Sequence, residues 1–284
     1  MALIPYAKAH ATPAQRIAHL RSKGLLVPRP NVAAQKIEAI GYERLRIYFH
    51  SRRQASAPGK PFISGTTYQD IIRLYECDSE LRDLCFSAVG QFEVIFRNTL
   101  SEVVSRTYGS HPYYDHRAFK DAPSNIKSLA IFCQVFQKSK DHRAKHYRET
   151  YSDPVLPPIW TMKEFLTFGG ASHIYQSLEG SLRTSIATEF GVPKDTVFTN
   201  WVECLVDLRN MCAHHDRIFN RSFQKQPKKL ISAALPTAHP TKLKAILECL
   251  EYMLLKKGAR TQITLEVQKA LSRYPQISLG EAGY

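Results

Sequence analysis

Apolar side chains recur at steps of three and four along most of the chain. Leu81, Leu84, Cys85, Ala88, Phe92, Ile95, Phe96, Leu100 and Val103 trace one such face, and this spacing predicts a long amphipathic helix ending near Gly109. Local punctuation divides the rest. Thr12 before Pro13 predicts a capped helix start and Gly24 a stop. Asn31 reads as the cap of a helix closed by Gly41, and Tyr42 to Arg53 as a basic, aromatic helix. The loop-rich SAPGKPFISGTT marks the expected boundary between a small helical N-terminal subdomain, residues 1–60, and a larger helical domain, residues 61–284.

Thr67 and Asp70 form a capping box for the next helix, which a second start at Asp78, Ser79 and Glu80 is expected to break. Asn125 to about Arg148 reads as one helix, and Pro154, Pro157 and Pro158 enforce a loop ahead of TMKEFL. ASHIYQSLEGSLRTSIATEF predicts one or two helices, stopped by Gly191 and Pro193. Asn200 with Glu203 resembles a capping box opening WVECLVDLRNMC, and Lys242–Lys257 and Gln262–Ser272 are helical by pattern. No series of alternating β-branched runs lies between turn signals, so the expected fold class is all-α.

Composition adds a partner to this picture. The 284 residues hold 39 Lys+Arg against 25 Asp+Glu, a net charge of +14, which favours a polyanion such as nucleic acid over an anionic membrane. The longest stretch without a formal charge, Phe165 to Leu178, is too short and too polar to span a bilayer, and the N-terminus lacks the order of a signal peptide. A soluble cytoplasmic protein is expected. Six scattered cysteines without a Cys-x-x-C pair fit reduced, buried thiols rather than disulfides or zinc ligands.

The common phosphate-loop, dinucleotide, zinc-protease and serine-hydrolase signatures are absent. DLRNMCAHHDRIFNR, residues 207–221, stands out instead. At about 100° per residue, Asp207, Asn210, His214 and Arg217 fall on one polar stripe, while Arg209 points to the apolar side with Val202, Leu205 and Cys212. A guanidinium there needs a partner or an anion. In a straight helix Arg209 and His214 diverge by about 140°, so the helix ends or bends between them, or a second copy of the motif completes the site. A charged helix end of local ion pairs accounts for the residues equally well. Glu93 and Arg97, at i and i+4 on the long apolar helix, read as a helix-stabilising pair; alternatively Glu93 orients Arg209, or Arg97 contacts phosphate.

Three basic runs place the charge. Residues 1–37 hold Lys8, Arg16, Arg21, Lys23, Arg29 and Lys36 and no acid, followed by Arg44 and Arg46. KSKDHRAKHYR contains Lys145, and RSFQKQPKK contributes Arg221, Lys225, Lys228 and Lys229. Jointly they favour nucleic-acid contact. The nearby Tyr42, Tyr48, Phe49, Tyr147 and Tyr151 serve either as stacking platforms for bases or as core.

Several blocks in order, QRIAHLRSKGLLVP, IGYERLRIYF, YQDIIRLYECDSELRDLCFSAVGQFEVIFRNTL, KHYRETY, LPPIWTMKEFLTFGGASHIYQSL and LVDLRNMCAHHDRIFNR, resemble the Abi family of abortive-infection proteins, the AbiD/AbiF-like group with a HEPN core. The resemblance spans roughly residues 15–222. Thr167-Phe168-Gly169 stands where the family more often has Ser-Phe-Gly. HEPN proteins are typically helical, dimeric, metal-independent ribonucleases with an Arg-x(4–6)-His signature, matched here by Arg209, Asn210 and His214. The resemblance implies that His214 moves the proton of an RNA 2′-hydroxyl, that Arg209 stabilises the charged transition state and that Asn210 orients one of them. Supporting roles fall to Glu93, Arg97, Asp207, His215 and Arg217.

The expectation is an antiphage effector that cleaves RNA as a homodimer, needs no cofactor or metal, and is held inactive by an antitoxin partner or a small noncoding RNA. The rival expectation is a non-catalytic protein that holds a structured RNA.

Overall fold

The computed structural model describes residue 5 and residues 9–284. Lys8, counted in the first basic run, lies outside the described residues. Among these are thirteen α-helices and no strands, the extended pairings being isolated bridges. The fold is all-α. The helices are α1 (Pro13–Ser22), α2 (Pro30–Ile40), α3 (Tyr42–His50), α4 (Tyr68–Tyr108), α5 (Ala122–Lys138), α6 (His142–Thr150), α7 (Ile159–Met162), α8 (Phe168–Ser177), α9 (Gly180–Glu189), α10 (Asp195–Ala213), α11 (Leu243–Lys256), α12 (Ile263–Ser272) and α13 (Leu279–Ala282). The chain divides into two compact units, Met1–Glu80 with Leu271–Ser278, and Leu81–Ala270 with Leu279–Tyr284. No helix of the described residues is long and apolar enough to cross a membrane.

In the first unit, α1 starts with a complete capping box: the Thr12 hydroxyl accepts from the Gln15 backbone N–H and the Gln15 amide oxygen accepts from that of Thr12. Helix α2 starts at Pro30 with Arg29 in the capping position, ahead of the expected Asn31. A proline at the first helical position supplies the helical φ and lacks the N–H that would go unpaired there. Gly41, at φ +93°, ends α2 as expected.

The break expected at Asp78 is absent, and α4 runs 41 residues without interruption. Asp78 is fully buried, and its carboxylate accepts the Tyr48 hydroxyl at 2.5 Å. A carboxylate engaged across the unit does not compete for backbone N–H groups as a cap does. Tyr48→Phe, which removes this donor, is expected to destabilise the chain by about 1–3 kcal/mol in urea denaturation.

The second unit is built around an aromatic cluster. Phe92 and Phe96 of α4, Phe168 and Tyr175 of α8, Phe190 after α9 and Phe198 of α10 are all buried. Their rings meet with centroids between 5.1 Å and 6.3 Å apart, in mostly tilted and edge-on geometries, the range in which aromatic pairs add to plain area burial. The apolar positions of the α4 pattern therefore do what their spacing predicts.

Two further boundaries differ from expectation, and the aromatic alternatives are settled. The segment from Asn125 to Arg148 is two helices, because Asp141 caps α6 through its carboxylate and the Arg143 N–H. Helix α10 starts at Asp195, so Asn200 lies inside it. The Asn200 side chain instead donates to Gln226 O and accepts from Lys228 N, while Trp201 Nε1 donates to Lys228 O. These bonds fasten residues 226–228 along α10. Finally, Tyr48, Phe49 and Tyr147 are buried and belong to the core; Tyr151 is exposed.

Candidate functional site

The motif DLRNMCAHHDRIFNR occupies the end of α10. The helix stops at Ala213, and His214 is the capping residue, its N–H bonded to Asn210 O. His215 N donates to Cys212 O and Asp216 N to Met211 O, with His215 in the left-handed region at φ +56°. This is the Schellman arrangement, in which glycine is the usual left-handed residue. A histidine there carries backbone strain of about 1 kcal/mol. His215→Gly is expected to raise stability by about that amount, readable as a shift in the urea midpoint.

Beyond this turn, Ile218 and Phe219 are buried, so the exposed residues between the helix end and Ile218 are anchored on both sides. Asp207, Asn210 and His214 line a cavity of about 260 Å³ together with Asp216, Arg221 and Lys225. Asn210 and His214 are exposed to solvent there. Lys225 lies 3.4 Å from the Asp207 carboxylate and 4.0 Å from that of Glu203, and the Arg221 guanidinium donates to Arg217 O at 3.3 Å. Arg217 is past the end of the helix and is not among the cavity walls, so the stripe expected from a continuous helix is cut short. Cys204 also lines the cavity, but burial pushes its thiol up to about 12, which leaves it protonated and unreactive.

Arg209 faces away from this cavity, as the 100° rule requires. Its Nε is 3.6 Å from a Glu93 carboxylate oxygen, and its guanidinium lies over the Phe86 ring at 5.9 Å. Glu93 is 7% exposed and also accepts Arg97 Nη2. One buried carboxylate thus serves two guanidinium groups, Arg97 and Arg209. A link back to the cavity remains: Arg209 Nη1 donates to the Asn210 amide oxygen at 3.4 Å. Because Asn210 belongs to both sets of contacts, it joins the Glu93 cluster to the cavity holding His214. The Phe86 ring was not singled out in the sequence, since only a register relating α4 to α10 reveals it; and in place of a local ion-pair set of Asp207, Arg209 and Asp216, Arg209 pairs with Glu93 and Asp207 with Lys225.

Other basic residues are dispersed. Lys145, on α6, pairs with Glu149 at 3.8 Å. Lys229 Nζ donates to Pro236 O, and the exposed Lys228 offers its backbone to α10. Arg16, Arg21, Lys23, Arg44 and Arg46 belong to the first unit. Among the described residues, no group of three or more His, Cys, Asp or Glu could hold a metal ion.

Helical architecture, a polar segment at one helix end and the ordered blocks of residues define a class, and the family comparison names it. The family model described as "Abi-like protein" matches residues 35–220, so the chain belongs to the Abi-like family, which is associated with abortive infection. No curated protein and no solved structure matches the chain.

Proposed function

We propose that the chain is an abortive-infection effector of the HEPN type that cleaves RNA at the end of α10. The observation that carries this reading is the cavity in which exposed His214 and Asn210 meet the cations Arg221 and Lys225 and the acids Asp207 and Asp216, a phosphate taking the place that Asp207 holds beside Lys225. An imidazole titrates near neutral pH, and cations beside it attract a phosphodiester.

In the proposed reaction, His214 accepts the proton of an RNA 2′-hydroxyl. The 2′-oxygen attacks the adjacent phosphorus, the bond to the 5′-oxygen breaks as that oxygen takes a proton from water, and the hydroxide so formed takes the proton from His214, which restores the neutral imidazole. The products are a 2′,3′-cyclic phosphate and a 5′-hydroxyl. The protein's contribution is proton transfer and charge stabilisation. Arg209 is the transition-state cation, and Glu93 positions it. Since Arg209 and His214 of one chain face different directions, the proposal includes a homodimer in which the arginine of one copy serves the histidine of the other across a two-fold interface. An antitoxin or small RNA holds this activity down until infection, and the protein acts in the cytoplasm.

The test is incubation of RNA with the purified chain in EDTA, with the product ends identified. Cleavage that leaves 2′,3′-cyclic phosphates and disappears in Arg209→Ala supports the proposal. Intact RNA that binds the wild type and is released by Arg209→Ala would instead establish the non-catalytic RNA holder, a reading favoured by the capture of Arg209 on Glu93. Light scattering tests the dimer: an active monomer rules out the shared site.

A further inference from the structure

The first unit contains a cleft of about 840 Å³, lined by α1, α3 and the turn after α3. Among the described residues that line it, three arginines, Arg16, Arg46 and Arg53, and two histidines, His19 and His50, face one acid, Glu43. Glu43 is paired with Arg46 at 2.9 Å, so the cleft has an excess of positive charge even when this pair is formed. Such a concentration of guanidinium groups in a concave surface focuses its field on anions.

The aromatic residues show which part of a nucleic acid this cleft can take. The Arg16 guanidinium covers the Tyr42 ring at 4.4 Å from its centroid, and the Arg53 guanidinium covers Phe62 at 4.5 Å. Phe49 is 1% exposed, packed against Tyr42 and Phe62. The rings carry the cations and leave little aromatic face for bases to stack on. Stacking on an aromatic ring limits the freedom of each guanidinium. Arg53 Nε is buried without a hydrogen-bond partner, while its Nη1 donates to Lys60 O. Guanidinium contacts to phosphate oxygens, where a nucleic acid is bound, fix its backbone and carry no sequence information.

We propose that the cleft between α1 and α3 is a binding site for the phosphodiester backbone of RNA, used independently of base sequence. It lies in a different unit from the α10 motif and does not require that motif to be catalytic. Its residues Arg53, His19 and His50 extend the basic set evident from the sequence, and Arg21 and Arg44 are outside its lining.

The test uses the full-length chain carrying His214→Ala, in EDTA, with a fluorescent RNA hairpin and a DNA hairpin of the same sequence, read by anisotropy across a salt series. The triple variant Arg16→Gln, Arg46→Gln, Arg53→Gln is expected to weaken RNA binding at least about tenfold and to flatten the log–log salt slope by about 2. Arg46→Glu alone, at a half-exposed side chain, is expected to lower affinity several-fold while a cooperative melting transition is kept. A decrease for DNA only assigns the cleft to DNA and overturns the RNA proposal. So does displacement of RNA by poly-glutamate as readily as by polyuridylate, which would mark a site for acidic polypeptide. Unchanged affinity and slope in folded Arg46→Glu also overturn it. Failure of the wild type to cleave RNA leaves all these measurements intact, so the two proposals fail separately.

Discussion

Replacing His214 by alanine is expected to lower RNA cleavage by about 10²- to 10⁴-fold, the usual contribution of a positioned proton carrier. The loss should fall on kcat, with KM little changed, because the imidazole is exposed and the neighbouring cations that would hold phosphate remain. Folding should be nearly unaffected, within about 0.5 kcal/mol. His214 contributes its backbone N–H to the helix end, and alanine retains that group. Initial rates and urea curves measured on the same preparation separate the two effects. Alanine protein that keeps a third or more of the wild-type rate would remove the imidazole from the mechanism.

The largest expected loss of stability comes from Glu93→Ala, at about 3 kcal/mol. The carboxylate is buried between Arg97 and Arg209, whose side chains are 19% and 31% exposed. Removing it strands two guanidinium groups at a poorly hydrated position. For a chain of this size the expected fall in Tm is about 6–12 °C. Glu93→Gln keeps an acceptor but loses the charge, and should fall between wild type and alanine. It also tests positioning: cleavage should drop further than the small stability change explains, with KM held and kcat reduced. A Glu93→Ala protein as stable as wild type would show that water already screens the cluster.

Much of the fold follows from regularities that the sequence displays openly. The aromatic cluster of α4 was legible because Phe92 and Phe96 sit at i and i+4 among other apolar positions. The start of α1 was legible because Thr12 caps it locally and Pro13 needs no partner for an N–H it lacks. What misled were residues whose partners are distant in sequence. Asp78 resembles a helix cap until Tyr48, thirty residues earlier, accounts for its carboxylate. Asn200 resembles another until residues 226–228 account for its amide. Of the candidate site, the divergence of Arg209 from His214 could be computed from helix geometry alone. The Glu93 contact was one alternative among several, because nothing in a sequence fixes the register of α4 against α10.

The helix end at Ala213 fixes where the length of this motif can change. A histidine in helical phase swings by about 100° for each residue inserted between it and the arginine, and His214 is still in that phase, because its N–H closes the last bond of the coil on Asn210 O. The side it takes relative to Arg209 is therefore locked to the helical lattice. Past it the left-handed turn at His215 ends the coil, and an added or missing residue there is absorbed as a short displacement of loop. The joint thus divides the motif into a stretch whose length sets direction and a stretch whose length does not.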